Sequence, residues 1–174
     1  MTGLARLRAL LLEEGGLMAS LVAGEDACEQ VSAPARTAAG GPRAAGNRAE
    51  YELLMEAIYE GYLLHYGLPR VVRVPEADLS LLAGDRLYAV GLARLVTLGD
   101  TLAVAELADT ITLSALAQGA GGCELAEAVW AAGARAVGWG PSELHARAKD
   151  LVLAGAPEAI EAMRTSAEVP AASS

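Results

Sequence analysis

Between Arg48 and Val137 the chain repeats one pattern: apolar residues three or four apart, each run closed by glycine or proline. That period keeps one side of an α-helix apolar and does not match the two-residue alternation of a half-buried strand. Over 48–65, Leu54, Ile58, Gly61 and His65 make one stripe. Gly67 and Pro69 end the run, because proline disfavours helical backbone at the residue before it. Over 78–98, Leu81, Tyr88, Leu92 and Leu95 share a face, with Asp78 as N-cap and Gly99 as stop. Asp100 caps a third run reaching Gln118, striped by Val104, Leu107, Ile111 and Ser114, and a fourth carries Leu125, Val129 and Trp130. Pro141 and Pro157 mark two further helix starts, separated by Gly155. The one β-like run, Val71 to Val74, falls between helices. These patterns predict an all-α, single-domain helical bundle of about six helices joined by short loops.

The core chemistry agrees. Of the 174 residues 53% are hydrophobic, but Phe is absent and alanine supplies much of that fraction. Small side chains suit closely packed helices better than a sandwich of β-branched and aromatic residues. The length is enough for one sizeable core.

The pattern weakens at both ends. Leu4, Leu7, Leu11 and Met18 mark an N-terminal helical segment, interrupted at Gly15-Gly16. Residues 32–49 mix Ala, Gly, Arg and Pro without an apolar period, and read as a linker or loosely ordered arm. The expected division is an N-terminal helix with a flexible arm over 1–49, a helical core over 50–165, and a disordered tail over 166–174.

Charge excludes some partners. Thirteen basic against 22 acidic residues leave a net charge of -9. Phosphate backbones and anionic membrane surfaces require concentrated basic patches, so neither nucleic acid nor a membrane surface is an expected partner. The apolar run at Leu10 to Leu12 is too short for a signal peptide, and no stretch suits a membrane span. The expected location is the cytoplasm. Cys28 and Cys123 lack metal or redox spacing and read as buried thiols in a reducing compartment.

Few residues carry chemistry. His65 and His145 are the only histidines. His65 reads as a helix-end histidine, and His145 follows Ser142 and Glu143 without the nucleophile elbow a hydrolase needs. Glu52, Glu56 and Glu60 are four apart and read as a solvated acidic face. Glu106, Asp109, Glu124 and Glu127 lack the Glu-x-x-His pairing of a helical di-metal site and also read as solvated. Tyr51, Tyr59, Tyr62 and Tyr66 cluster on one helix, either as packing or as an apolar pocket with hydroxyls at its rim.

Leu63-Leu64-His65, then Leu81-Leu82-Ala83-Gly84-Asp85-Arg86-Leu87, then Gln118-Gly119 follow one another at a spacing that resembles the middle of the trans-prenyltransferases, or isoprenoid synthases. The resemblance covers about half the chain, from Glu50 to near Gly138. It implies an isoprenoid-synthase-like helical core. The departures imply lost catalysis. Where the family places an aspartate-rich motif, this chain has Tyr66, Gly67, Leu68, Pro69 and Arg70, and Ala126-Glu127 stand where the family has Lys-Thr. Ionising an allylic diphosphate needs magnesium held by several carboxylates, and a cation at position 70 repels it.

The resemblance therefore implies a non-catalytic binding or accessory subunit, without metal or cofactor, that binds an apolar or prenyl ligand or a partner chain. A subunit active only with a partner, and a helical adaptor unrelated to isoprenoids, are the alternatives. The expected ligand-binding residues are Tyr62, His65, Tyr66, Arg70, Arg73, Asp85 and Gln118, with the arginines either meeting a phosphate or solvated. Gly84 and Gly91 are the expected contacts of a homo- or hetero-oligomer.

Overall fold

The computed structural model describes residues 1–24 and 30–168. Those residues are all helical, with no strand, and form one compact domain of nine α-helices and one 3-10 turn. They are α1 (Gly3–Glu14), α2 (Gly16–Leu21), α3 (Ala33–Gly40), α4 (Arg48–Tyr66), α5 (Ala77–Leu98), α6 (Thr101–Gly119), α7 (Cys123–Trp139), α8 (Glu143–Leu153) and α9 (Ala159–Ser166). The 3-10 turn is Pro42–Ala44. The excess over about six helices comes from the N-terminal α1, α2 and α3, of which α1 and α2 divide the expected N-terminal helical segment at Gly15-Gly16. Val71 to Val74 make no strand; Val72 forms one isolated antiparallel bridge with Val22.

Side-chain caps set several helix starts. The hydroxyls of Thr2, Ser32 and Ser142 and the carboxylate of Asp100 each accept a bond from the backbone N–H three residues on, at 3.1–3.2 Å. The expected cap at Asp78 is displaced: α5 begins one residue earlier, and Asp78 lies in its first turn. Gly99 ends α5 with φ 73°, a left-handed conformation that favours glycine.

α4 is the central element. Of its two faces, one joins α3, α6 and α7 in a core with Tyr51, Leu54, Met55, Ile58 and Trp130. The other packs Leu53, Ala57 and Leu64 against Leu4, Leu7 and Leu11 of α1 and Leu87 of α5. α7 likewise has two faces: its second, with Val129 and Ala132, meets Ala148, Val152 and Met163 of α8 and α9.

The stripe Leu54, Ile58, Gly61 and His65 faces α5. A Cβ added at Gly84 would lie 2.9 Å from the Gly61 carbonyl, and one at Gly91 would lie 2.9 Å from that of Leu54. The close approach expected at Gly84 and Gly91 is thus present, but within the chain. Both residues are buried in the α4–α5 seam, so they are not available as oligomer contacts. Leu81, expected on the inward face, points outward and is exposed.

The expected loose arm over 32–49 is corrected by α3. Pro34, Ala35, Ala38 and Ala39 are buried, and Gly138 packs so near that an added Cβ would lie 2.7 Å from the Ala38 carbonyl. Alanine and glycine there serve backbone contact rather than flexibility. α9 extends to Ser166, and the tail expected beyond it lies mostly outside the described residues.

Candidate functional site

The residues expected to bind ligand gather near the C-terminal end of α4, but most are already engaged. Tyr62 is buried, and its hydroxyl accepts a hydrogen bond from Gln118 Nε2 at 2.7 Å. Its ring packs 5.8 Å from Tyr59, 5.5 Å from Tyr66 and 5.1 Å from Trp130. Burial pushes the Tyr59 and Tyr62 phenols above their ordinary value. The tyrosine cluster is therefore packing, with only Tyr66 well exposed. The Trp130 indole N–H finds no acceptor among the described residues. His65 stacks on Tyr88, ring centroids 5.4 Å apart, above Gly84. Its Nε2 lies 3.1 Å from the exposed Asp85 carboxylate, outside hydrogen-bonding alignment. Arg73 is exposed, and its backbone N–H donates to the Leu21 carbonyl at 2.9 Å.

Arg70 is not free to meet a phosphate. Its guanidinium lies 2.7 Å from Glu56 Oε2 and 3.3 Å from Glu60 Oε2, and 5.5 Å from the centre of the Tyr59 ring. Both glutamates are fully buried, which corrects the solvated face expected at Glu52, Glu56 and Glu60. Each of the three holds a distant piece of backbone. Glu52 accepts from the Gly3 N–H at the start of α1. Glu56 Oε1 accepts from Ser32 at 2.7 Å, beside the start of α3. Glu60 Oε1 accepts from Arg70, Val71 and Val72 at 2.6, 2.5 and 3.2 Å. The i, i+4, i+8 spacing thus makes a row of backbone clamps along α4, which satisfies buried N–H groups as well as carboxylates.

A second polar cluster joins α6, α8 and α9. Glu106 is buried, not solvated, with Oε2 3.0 Å from His145 Nε2 and 3.2 Å from Lys149 Nζ. Asp109 also binds Lys149, at 2.8 Å. His145 Nδ1 lies 3.4 Å from Ser166 Oγ. Burial alone would raise the Glu106 carboxyl, but hydrogen bonds from His145 and Lys149 and the lysine charge hold it below its usual range. Burial pulls Lys149 down, but Asp109 and Glu106 outweigh that and raise it. An acid–imidazole–hydroxyl row invites comparison with a hydrolase. Here the Ser166 hydroxyl donates its hydrogen bond to the Met163 carbonyl at 2.9 Å, and serine and histidine are both buried. A nucleophile must reach its substrate, so the row works as a tie between helices.

Among the described residues, no three His, Cys, Asp or Glu side chains converge as metal ligands. Cys123, expected buried, is exposed as the first residue of α7, and Cys28 lies outside the described residues. No described helix is long and apolar enough to cross a membrane.

An open, leucine-lined concave feature lies elsewhere, between α2 and α5. It is a groove of about 500 Å³, within the range of small-molecule sites. Leu17, Met18 and Leu21 form one wall, and Leu79, Leu82 and Ala83 the other. Leu17 and Leu82 are 59% and 66% exposed, so the apolar lining faces solvent. Glu14 and Arg86 line the same groove and pair at 3.3 Å. Gly15 and Gly16, with φ of 72° and 65°, turn the chain from α1 into α2 and set this wall in place. None of the expected ligand residues lines the groove, although Asp85 adjoins Arg86. The available signal was local: apolar Leu17, Met18 and Leu21 directly after a glycine pair.

No protein-family model, no curated protein and no solved structure matches this chain.

Proposed function

We propose that this chain is a non-catalytic, isoprenoid-synthase-like binding subunit that holds an apolar, prenyl-type chain in the groove between α2 and α5. The observation that carries the reading is the groove itself, with leucines open to water on both walls. Contiguous exposed apolar surface in a concave setting is one of the marks of a binding site. The resemblance supports the same reading, because Leu82, Ala83 and Arg86 of the family-like run Leu81 to Leu87 line the groove.

The engaged state of the polar residues supports a role without catalysis. Arg70 is held by Glu56 and Glu60, and the His145 imidazole is enclosed. Neither can reach a substrate without opening the core.

The test is thermal unfolding with farnesol and with farnesyl diphosphate, on the full chain and on Leu82→Asp. Ligand-induced stabilisation follows mass action, about 2.7 kcal/mol at a hundredfold excess over Kd. Stabilisation of the parent chain that Leu82→Asp abolishes supports the reading. A chain whose melting temperature no apolar ligand moves refutes it.

A second reading, a partner subunit or second copy docked on α5, is favoured by exposure of Leu81 and Val96 on that helix. Light scattering coupled to size exclusion tests it, and a monomer alone and with a synthase partner would remove it.

A further inference from the structure

If the groove is a binding site, as proposed above, its rim also constrains the head group. We infer that it accepts a long-chain primary alcohol and rejects the corresponding diphosphate or carboxylate.

The walls supply no polar side chain: Leu17, Met18 and Leu21 face Leu79, Leu82 and Ala83. Polar recognition falls to Glu14 and Arg86, paired at 3.3 Å. That pair offers one acceptor and one donor side by side. A hydroxyl has the matching equipment, donating to the Glu14 carboxylate while accepting from the Arg86 guanidinium. A diphosphate or carboxylate only accepts at neutral pH. It gains Arg86 but sets its own charge against Glu14.

The surroundings add to that repulsion. Glu13 adjoins Glu14 and is exposed, and the exposed Asp85 adjoins Arg86. Glu14 and Arg86, the charged residues of the lining, cancel, so the excess of negative charge is that of the neighbouring sequence and of the chain as a whole. Two other arginines stand near. Arg8 donates to the Ala23 and Gly24 carbonyls. Arg73 bonds Leu21 through its backbone, and its side chain is not part of the lining. An excess of one sign around a cleft lowers the local concentration of ligands of that sign, and the whole chain carries -9.

Farnesol and 1-dodecanol share the head group and differ in the chain, so together they separate an isoprenoid from a straight-chain source. Farnesyl diphosphate and dodecanoate carry the same two chains on anionic heads. Isothermal titration calorimetry of the full chain with all four is the test. Both alcohols, or one if the groove also reads chain shape, are expected to bind at least tenfold more tightly than their anionic counterparts. The Glu14→Gln variant is expected to narrow that ratio by about tenfold. Equal or tighter binding of the anions to the parent chain overturns the inference and leaves the groove reading intact. So does a ratio unchanged in Glu14→Gln. Binding of none of the four removes the groove reading itself, and this inference with it.

Discussion

Replacing Arg70 by methionine should destabilise the chain severely, although position 70 sits in a loop. Its guanidinium serves two carboxylates that have no exposure to water, and its own side chain is only 17% exposed. Methionine keeps much of the volume and removes the charge. Removing one partner of a buried pair leaves an uncompensated charge, at a cost of about 3–5 kcal/mol. The stacking on Tyr59 at 5.5 Å adds about 0.5–1 kcal/mol. Against a total stability of about 5–15 kcal/mol for a domain, that is a large share, and it lowers the melting temperature by roughly 10 °C or more. Urea unfolding followed by circular dichroism at 222 nm, pH 7, measures it. Arg73→Met is the control, because Arg73 is exposed and the change should stay within about 0.5 kcal/mol. Adding Glu56→Gln to Arg70→Met should cost less than the sum of the two, by about 1–2 kcal/mol of coupling. A loss below about 1 kcal/mol for Arg70→Met, or strict additivity in the double variant, refutes the clamp.

Further outcomes follow from the other clusters. Glu106 is held below its unfolded value, so its contribution is fully present above the unfolded carboxylate pKa and lost as pH falls through the folded one. Glu106→Gln should therefore flatten the acid side of a urea-midpoint profile between pH 5 and pH 2, and an unchanged slope counts against the His145–Lys149 tie. Tyr51 is pushed up to about 12, by burial first and then by its hydrogen bond to Asp100. Its contribution is present below the ordinary tyrosine pKa near 10 and disappears as pH rises toward about 12, so Tyr51→Phe should remove that part of the alkaline loss. Absorbance at 295 nm follows the phenol directly. Gly41→Ala should cost more than about 2 kcal/mol, because the added Cβ meets the Gly138 backbone. Gly99→Ala should cost only about 1 kcal/mol, since it meets no atom within 4 Å and bears only the strain of its left-handed φ. Chemical denaturation ranks the two, and the reverse order would discredit the α3–α7 contact.

The long helices were legible because each carries leucine, valine or isoleucine at helical spacing beside polar residues. α3 was not, because alanine, glycine and proline give no contrast between a buried and an exposed side. Its evidence lies in Gly138, nearly a hundred residues on. The glutamates at 52, 56 and 60 were misread for a related reason. An i, i+4 row of carboxylates is also what a solvated face looks like, and the N–H groups that bury these come from Gly3, Ser32 and residues 70–72. Gly84 and Gly91 did announce close backbone approach, but a glycine says nothing about whose backbone approaches. The groove left the weakest trace, since its walls stand more than fifty residues apart in the chain.

The clamps and the groove are one mechanical system. Glu60 fixes the amides of residues 70–72. The same loop holds the far end of α2, through Ala23 N–H to the Val71 carbonyl at 2.7 Å and Arg73 N–H to the Leu21 carbonyl at 2.9 Å. α2 has no fully buried residue, and only Met18 and Leu21 pack partly buried against the core, so its place as a groove wall also rests on that anchor and on the Gly15-Gly16 turn. Loss of a ligand on changing Arg70 or Glu60 is therefore no evidence that either touches it. Leu82 separates the two effects. It lies on the opposite wall, outside the anchor, and its exposure makes a change there nearly neutral for stability. Binding lost at Leu82 with an unchanged urea midpoint reports the groove, whereas binding lost at Glu60 together with the midpoint reports the anchor that shapes it.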